Sequence, residues 1–83
     1  MAQIDYSRDA IRALRRLPPN LAARIVTQVE RFASDPSADS KNWKKLKERN
    51  EISIRIGDWR VLVVVAQEAV RVTVIEHRSR VYD

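Results

Sequence analysis

The sequence contains no cysteine, a single histidine and a single glycine among its 83 residues. Without cysteine the chain forms neither disulfides nor thiolate metal sites, and His77 alone cannot build a histidine cluster for zinc. The phosphate-binding glycine loops and the helical HExxH motif are missing as well. We therefore expect no metal and no cofactor, and the lack of cysteine is compatible with a reducing cytoplasm.

Long apolar runs are missing too. The longest one, Val61 to Ala66, has the length of a strand, whereas a membrane span needs about 18 residues. The first five residues have neither the basic nor the apolar region of a signal peptide. Since 45% of the residues are hydrophobic, the chain should fold. We expect one cytoplasmic domain over residues 1–83, with a thin core and no membrane contact.

Positive charge is concentrated in one stretch of the chain. The net charge is +5, and residues 41–60 hold seven basic residues against three acidic ones. All the lysines lie between Lys41 and Lys47. Such a local positive field favours a polyanion, of which phosphate backbones are the commonest. A solvated lysine-rich loop would give the same pattern, and charge alone does not separate the two interpretations.

Two amphipathic helices are predicted after a short strand at Gln3 to Tyr6. Ser7 is a suitable N-cap for the first helix, and Pro18-Pro19 separates it from the second. Apolar residues share one face of each helix: Ala10, Ile11, Leu14 and Leu17 in the first, and Leu21, Ile25, Val29 and Phe32 in the second. A connection this tight predicts a helical hairpin with one apolar face to bury.

Strand periodicity dominates the second half of the chain. Residues 52–56 and 70–74 alternate between apolar and polar, whereas residues 59–66 are apolar on both faces, as in a central strand. Turns are predicted at Gly57 and at Gln67-Glu68. The expected fold is an α+β domain in which the N-terminal strand and the helical hairpin pack on an antiparallel sheet of about four strands.

Arginines near the ends of these strands are candidate functional groups. Arg55 precedes the Gly57 turn and Arg60 follows it, so the two should lie close together across the hairpin. Arg78 and Arg80 follow the last strand. If that strand pairs beside the one that begins at Arg60, these cations converge on the surface of the sheet together with the neighbouring histidine and tyrosine.

Such a cluster suits RNA cleavage, in which the ribose 2′-hydroxyl attacks the adjacent phosphorus. Arginine binds phosphate oxygens bidentately and keeps its proton, so it can stabilise the developing charge. His77 could transfer protons, and Tyr82 could donate a hydrogen bond or stack on a base. Structural roles are the alternative: Arg60 could brace the hairpin through Asp58 or Glu51. His77 could have a structural role, and Tyr82 could only close the edge of the sheet.

The run from Lys44 to Asp83 holds several short motifs in a fixed order. They are Leu46-Lys47, Ile54-Arg55, Gly57-Asp58-Trp59-Arg60-Val61 and His77-Arg78-Ser79-Arg80-Val81-Tyr82. In this order and spacing the run resembles the RelE/ParE superfamily of bacterial toxin–antitoxin toxins. The opening helix with Leu17-Pro18 also looks like this family, so the resemblance covers nearly the whole chain.

The resemblance implies a RelE-like fold, related to that of microbial ribonucleases, and a type II toxin. Ribosome-dependent members of the family cut messenger RNA in the decoding site and so inhibit translation. It also implies that Arg60 and Arg78 stabilise phosphate charge and that Tyr82 orients or stacks on the substrate. Other basic residues are expected to bind the RNA: Lys44, Lys45, Lys47, Arg55 and Arg80.

The chain departs from the family pattern at Ser53, which stands where the family has a lysine. No proton acceptor follows from the resemblance, although His77 is the best substitute and Glu51 and Lys47 are weaker ones. This departure leaves two alternatives open. One is a gyrase inhibitor of the ParE branch, which shares the fold without the nuclease residues, and the other is a catalytically weak binding module.

The partners that the resemblance implies are a cognate antitoxin, the ribosome and messenger RNA. The antitoxin should be acidic where it meets the stretch from Lys41 to Lys47. Complexes of this family bind operator DNA through the antitoxin. We therefore expect no direct DNA contact by this chain.

Overall fold

The computed structural model describes residues 3–37, 42–45 and 51–81. Within them the chain forms β1 (Gln3–Tyr6), α1 (Arg8–Arg16), α2 (Pro19–Ser34), β2 (Trp43–Lys45), β3 (Glu51–Ile56), β4 (Trp59–Ala66), β5 (Ala69–His77) and α3 (Arg78–Val81). The order of strands and helices follows the periodicity of the sequence, with the short α3 as an unpredicted addition. Among these elements, no helix has both the length and the hydropathy that a membrane crossing requires.

The five described strands form one mixed sheet in the order β1-β5-β4-β3-β2. The pairs β2–β3, β3–β4 and β4–β5 are antiparallel, whereas β1 pairs with β5 in parallel. Both helices pack on this sheet, which confirms the α+β class. The sheet nevertheless differs from the expected antiparallel one of about four strands, because the N-terminal strand occupies the edge that the meander leaves open.

Ser7 fixes the junction between β1 and α1. Its hydroxyl oxygen accepts a hydrogen bond from the N–H of Ala10 at 3.1 Å, as an N-cap does, and also donates to the carbonyl of Thr73 at 2.8 Å. Its own N–H donates to the carbonyl of Val72 at 2.8 Å. The predicted cap is confirmed, and it also ties the start of α1 to β5.

The core lies between the helices and one face of the sheet. Its buried side chains are Ala10, Ile25, Val29, Phe32, Ile52, Ile54, Ile56, Val61, Val63, Val70, Val72 and Ile75. The predicted apolar face of α2 is therefore confirmed. Ile11, expected in the apolar face of α1, is instead 39% exposed. It lies about 100° around the helix from Ala10, outside the stripe that Ala10 forms with Leu14 and Leu17.

Both predicted turns are present, and each contains a residue with positive φ. Gly57 has a φ of 60° between β3 and β4, and Glu68 has a φ of 57° between β4 and β5. Glycine adopts this left-handed conformation without penalty, whereas glutamate does not. These tight turns make β3, β4 and β5 sequential neighbours and so fix which side chains meet across the sheet.

Candidate phosphate-binding site

The β3–β4 hairpin brings two arginines directly opposite each other. Arg55 and Arg60 are partners in the register of the two strands. Ile54 and Ile56 on either side of Arg55 are buried, so Arg55 lies on the face of the sheet opposite the helices. Because partners across a strand pair have Cβ atoms about 5 Å apart, Arg60 shares this outer face with it.

Arg78 reaches the same end of the sheet through the hairpin turn. Its backbone N–H donates to the carbonyl of Asp58 at 2.7 Å, which holds the first residue of α3 against the turn. The Arg78 guanidinium also lies 4.0 Å from the Asp58 carboxylate. Both side chains are well exposed, so this ion pair contributes little to stability. The backbone contact, which the sequence pattern does not reveal, is what positions Arg78.

The three arginines line one cavity of about 160 Å³, together with Gly57 and Trp59. None of the five lining residues is acidic. Arg60 faces Arg55 on one side and Glu76 on the other, and like charges such as the first two repel each other across a strand pair. Guanidinium groups hold phosphate oxygens bidentately, and the cavity has room for one phosphate group.

His77 does not join these arginines, contrary to expectation. Uninterrupted alternation from Val72 would place His77 on the same face as Arg60. The pairing of β4 with β5 contains a register shift, however, and Ile75 rather than Val74 is buried beyond it. An inserted residue moves every later side chain to the other face. His77 is therefore the partner of Trp59 in the register, on the helix side of the sheet.

The His77 ring packs edge-on against Trp59, with centroids 5.2 Å apart and an interplanar angle of 87°. Its Nδ1 lies 2.9 Å from the Ser79 hydroxyl and accepts from the Ser79 N–H at 3.3 Å. His77 lines a separate groove of about 800 Å³, between α1 and the end of β5, in which Arg12 and Arg16 are the α1 cations. These contacts orient the ring away from the arginine cavity.

The remaining predicted site residues lie at different places. Lys44 and Lys45 are exposed on β2, and Lys44 is the partner of Ser53, on the face that carries Arg55. Glu51 lies four residues before Arg55 on β3, which is about 13 Å along the strand. Arg80 belongs to α3. Two predicted site residues fall outside the described part of the chain, namely Lys47 and Tyr82.

The fold and the cavity define a small α+β domain with three arginines gathered at one end of its sheet. A family model described as the ParE toxin of type II toxin-antitoxin system, parDE, matches residues 4–82. The chain therefore belongs to this toxin family, within the RelE/ParE superfamily. Among curated protein sequences, none matches closely enough to count as a relative.

Solved structures of RelE toxins share the fold. The RelE–RelB complex of Pyrococcus horikoshii OT3 has a TM-score of 0.81 and 20% identity, over 95% of this chain and 97% of that one. The isolated E. coli RelE toxin has a TM-score of 0.78 and 18% identity, over 99% and 92%. The RelB–RelE complex of Methanococcus jannaschii has a TM-score of 0.76 and 23% identity, over 95% of each chain. These likenesses confirm the fold class.

Proposed function

We propose that this chain is a toxin that cleaves messenger RNA on the ribosome and so inhibits translation. The observation that carries the proposal is the cavity in which Arg55, Arg60 and Arg78 meet, with no acidic residue among its described lining residues. Membership of a type II toxin family and the resemblance of the second half of the chain to the RelE/ParE superfamily add to it. The expected role of Arg60 and Arg78 is to hold the scissile phosphate.

The proposed reaction is an internal transesterification of the RNA strand. The 2′-oxygen forms a bond to phosphorus while the bond from phosphorus to the 5′-oxygen breaks. The 2′-hydroxyl loses its proton to an acceptor, and the leaving 5′-oxygen gains one. Negative charge grows on the phosphoryl oxygens during this exchange, and fixed guanidinium groups stabilise it without having to reorganise.

The described residues that line the cavity provide guanidinium groups but include no histidine and no carboxylate. His77 lies on the other sheet face and Glu51 lies further along β3, so neither contacts the cavity. A protein that stabilises phosphate charge but has few acid–base groups of its own depends on a larger partner to position the reacting groups of the RNA. This is the reason to propose the ribosome as a partner and ribosome-bound RNA as the substrate.

The test compares the wild-type chain with Arg60→Ala and Arg78→Ala after induction without antitoxin. Removing one stabiliser of transition-state charge should slow cleavage of ribosome-bound RNA by roughly 100-fold or more. Both variants should therefore lose toxicity while keeping the wild-type circular dichroism spectrum. Arg78→Lys keeps the charge but loses the bidentate fork, so its cleavage activity should fall between that of the wild type and that of Arg78→Ala.

Arg15→Ala is the matched control, because Arg15 is an exposed cation of α1 that lines neither the cavity nor the groove. It removes the same charge and should remain fully toxic. If Arg60→Ala and Arg78→Ala were both as toxic as the control, the proposed site would be wrong.

Gyrase inhibition is the second candidate, and two observations favour it. The family that matches is described by its ParE toxin, and Ser53 replaces the lysine expected of the nuclease branch. The two candidates differ in what stops first after induction. The nuclease should halt incorporation of labelled methionine and produce truncated messenger RNA, whereas a gyrase inhibitor should halt thymidine incorporation and induce the DNA-damage response while translation continues.

An antitoxin is the proposed protein partner. Several structures similar in fold are complexes of RelE with RelB, and the matching family belongs to type II pairs. Lys44 and Lys45 are exposed on β2, within the most basic stretch of the sequence. We expect the antitoxin to present acidic residues to this surface, which would speed association in a salt-dependent way.

A further inference from the structure

A second cavity adjoins the arginine cavity at the β3–β4 turn. It measures about 300 Å³, and Arg24, Gln28, Asn42, Arg55, Ile56 and Gly57 line it. Arg55 and Gly57 also line the first cavity. The two cavities therefore meet at the turn, one facing the end of β5 and the other facing α2.

Arg24 is the new cation in this second cavity, and it lies close to the Gly57 turn. Arg24 is an exposed residue of α2, next to the buried Ile25. Its Nη1 lies 3.9 Å from the position that a Cβ on Gly57 would take. The guanidinium of Arg24 therefore lies close to the turn. A cation from the helix layer joins the cations of the sheet at one end of the molecule.

The lining of the second cavity has the chemistry of a phosphate site. Among the described residues that line it, two are arginines, two carry carboxamides and none is acidic. Guanidinium and carboxamide N–H groups donate to phosphate oxygens, and the positive charge strengthens the former. The two cavities share Arg55 and Gly57 and together present Arg24, Arg60 and Arg78, so consecutive phosphates of a nucleic-acid strand can follow a continuous positive path.

We propose that the cavity beside Arg24 is a second phosphate subsite. It binds the phosphodiester adjacent to the one held by Arg60 and Arg78, and so favours a single-stranded RNA over an isolated phosphate. The inference rests on the proposed function, since the same strand would carry the scissile bond. It concerns binding alone, so it can be tested without cleavage.

The probe is a fluorescein-labelled 2′-O-methyl RNA hexanucleotide, which cannot be cut because its 2′-oxygens carry no proton. Binding to the wild-type chain, Arg24→Ala, Arg24→Lys and the control Arg15→Ala is followed by fluorescence anisotropy over a series of salt concentrations. A dinucleotide with one phosphodiester serves as the short probe. Cleavage of ribosome-bound RNA is measured separately for each variant.

Arg24→Ala should weaken hexanucleotide binding about threefold to fivefold at low salt relative to Arg15→Ala. It should also reduce the slope of log affinity against log salt by about 0.7, which is one phosphate contact on a single strand. Arg24→Lys should restore the slope, because lysine also neutralises a phosphate. Binding of the dinucleotide should be the same in all four proteins.

Equal slopes for Arg24→Ala and Arg15→Ala would overturn the subsite, as would a wild-type chain that does not bind the hexanucleotide. A pentaglutamate peptide that bound as tightly, with the same dependence on Arg24, would also overturn it, since the cavity would then recognise charge alone. The proposed function fails separately. A chain with the expected slopes and no cleavage would keep the subsite and lose the nuclease.

Discussion

Tyr6 is a partly buried residue of β1 whose hydroxyl lies out of contact with water. Its hydroxyl is buried and has no hydrogen-bond partner among the described residues. Burial raises the pKa of Tyr6 above its ordinary value of 10.0, and the nearby Glu30 carboxylate raises it further. Because the folded-state pKa is the higher one, the stability linked to this proton is complete below pH 10.0 and is lost as the pH rises.

Tyr6→Phe removes the hydroxyl and keeps the ring. At neutral pH the variant should be as stable as the wild type or more stable, by up to about 1 kcal/mol, because an unpaired buried hydroxyl costs free energy. Above pH 10.0 its unfolding free energy should fall less steeply than that of the wild type. Urea titrations followed by circular dichroism at several pH values measure both effects. A variant clearly less stable at neutral pH would mean that the hydroxyl has a partner after all.

At the scale of the elements, the β3–β4 and β4–β5 turns each contain a residue with positive φ, a glycine in the first and a glutamate in the second, so the cost of that conformation can be compared between them. Gly57→Ala introduces a side chain that meets no collision, since the nearest atom is 3.9 Å away, but the positive φ should cost about 1 kcal/mol. Glu68→Gly relieves the same strain and should stabilise the chain by less than about 1 kcal/mol.

Gln67→Gly is the control for this pair, because Gln67 shares the second turn but has no positive φ. It should lower the unfolding free energy slightly, through the greater freedom of glycine in the unfolded chain. Urea midpoints of the three variants measure the differences. Stabilisation by Gln67→Gly equal to that by Glu68→Gly would contradict the strain argument.

The same elements explain how far sequence reasoning reaches. The periodicities predict both helices and the β3–β4–β5 meander, because each depends on neighbours close in the chain. The pairing of β1 with β5 joins residues 66 or more positions apart and has no local signal. The face of His77 depends on one register shift in β5, which alternation alone does not reveal. The hairpin turn predicts that Arg55 and Arg60 lie side by side, whereas a backbone hydrogen bond to Asp58, which the sequence does not reveal, places Arg78 beside them.

At the scale of the whole molecule, the position of the charge matters more than its amount. The chain has a net charge of +5, and four of its arginines line the two cavities at the β3–β4 turn. The hydrophobic core whose stabilisation offsets the repulsion between these arginines is small, as expected for 83 residues. Natural sites often sacrifice stability for function in this way. The cost should be measurable in the chain without ligand.

Arg55→Gln tests this trade-off, since Arg55 lines both cavities and faces Arg60 across the strand pair. Removing its charge should raise the unfolding free energy at low salt by a few tenths of a kcal/mol to about 1 kcal/mol, which corresponds to a rise in Tm of up to about 8 °C. Salt screens the repulsion, so the difference should vanish as the ionic strength rises.

Inorganic phosphate should stabilise the wild type more than the variant, by mass action on the folded state. Thermal unfolding with and without phosphate measures both effects, with Arg15→Gln as the equal-charge control. If Arg55→Gln were less stable than that control at low salt, the arginines would be stabilising the fold, and their convergence would no longer argue for an anion.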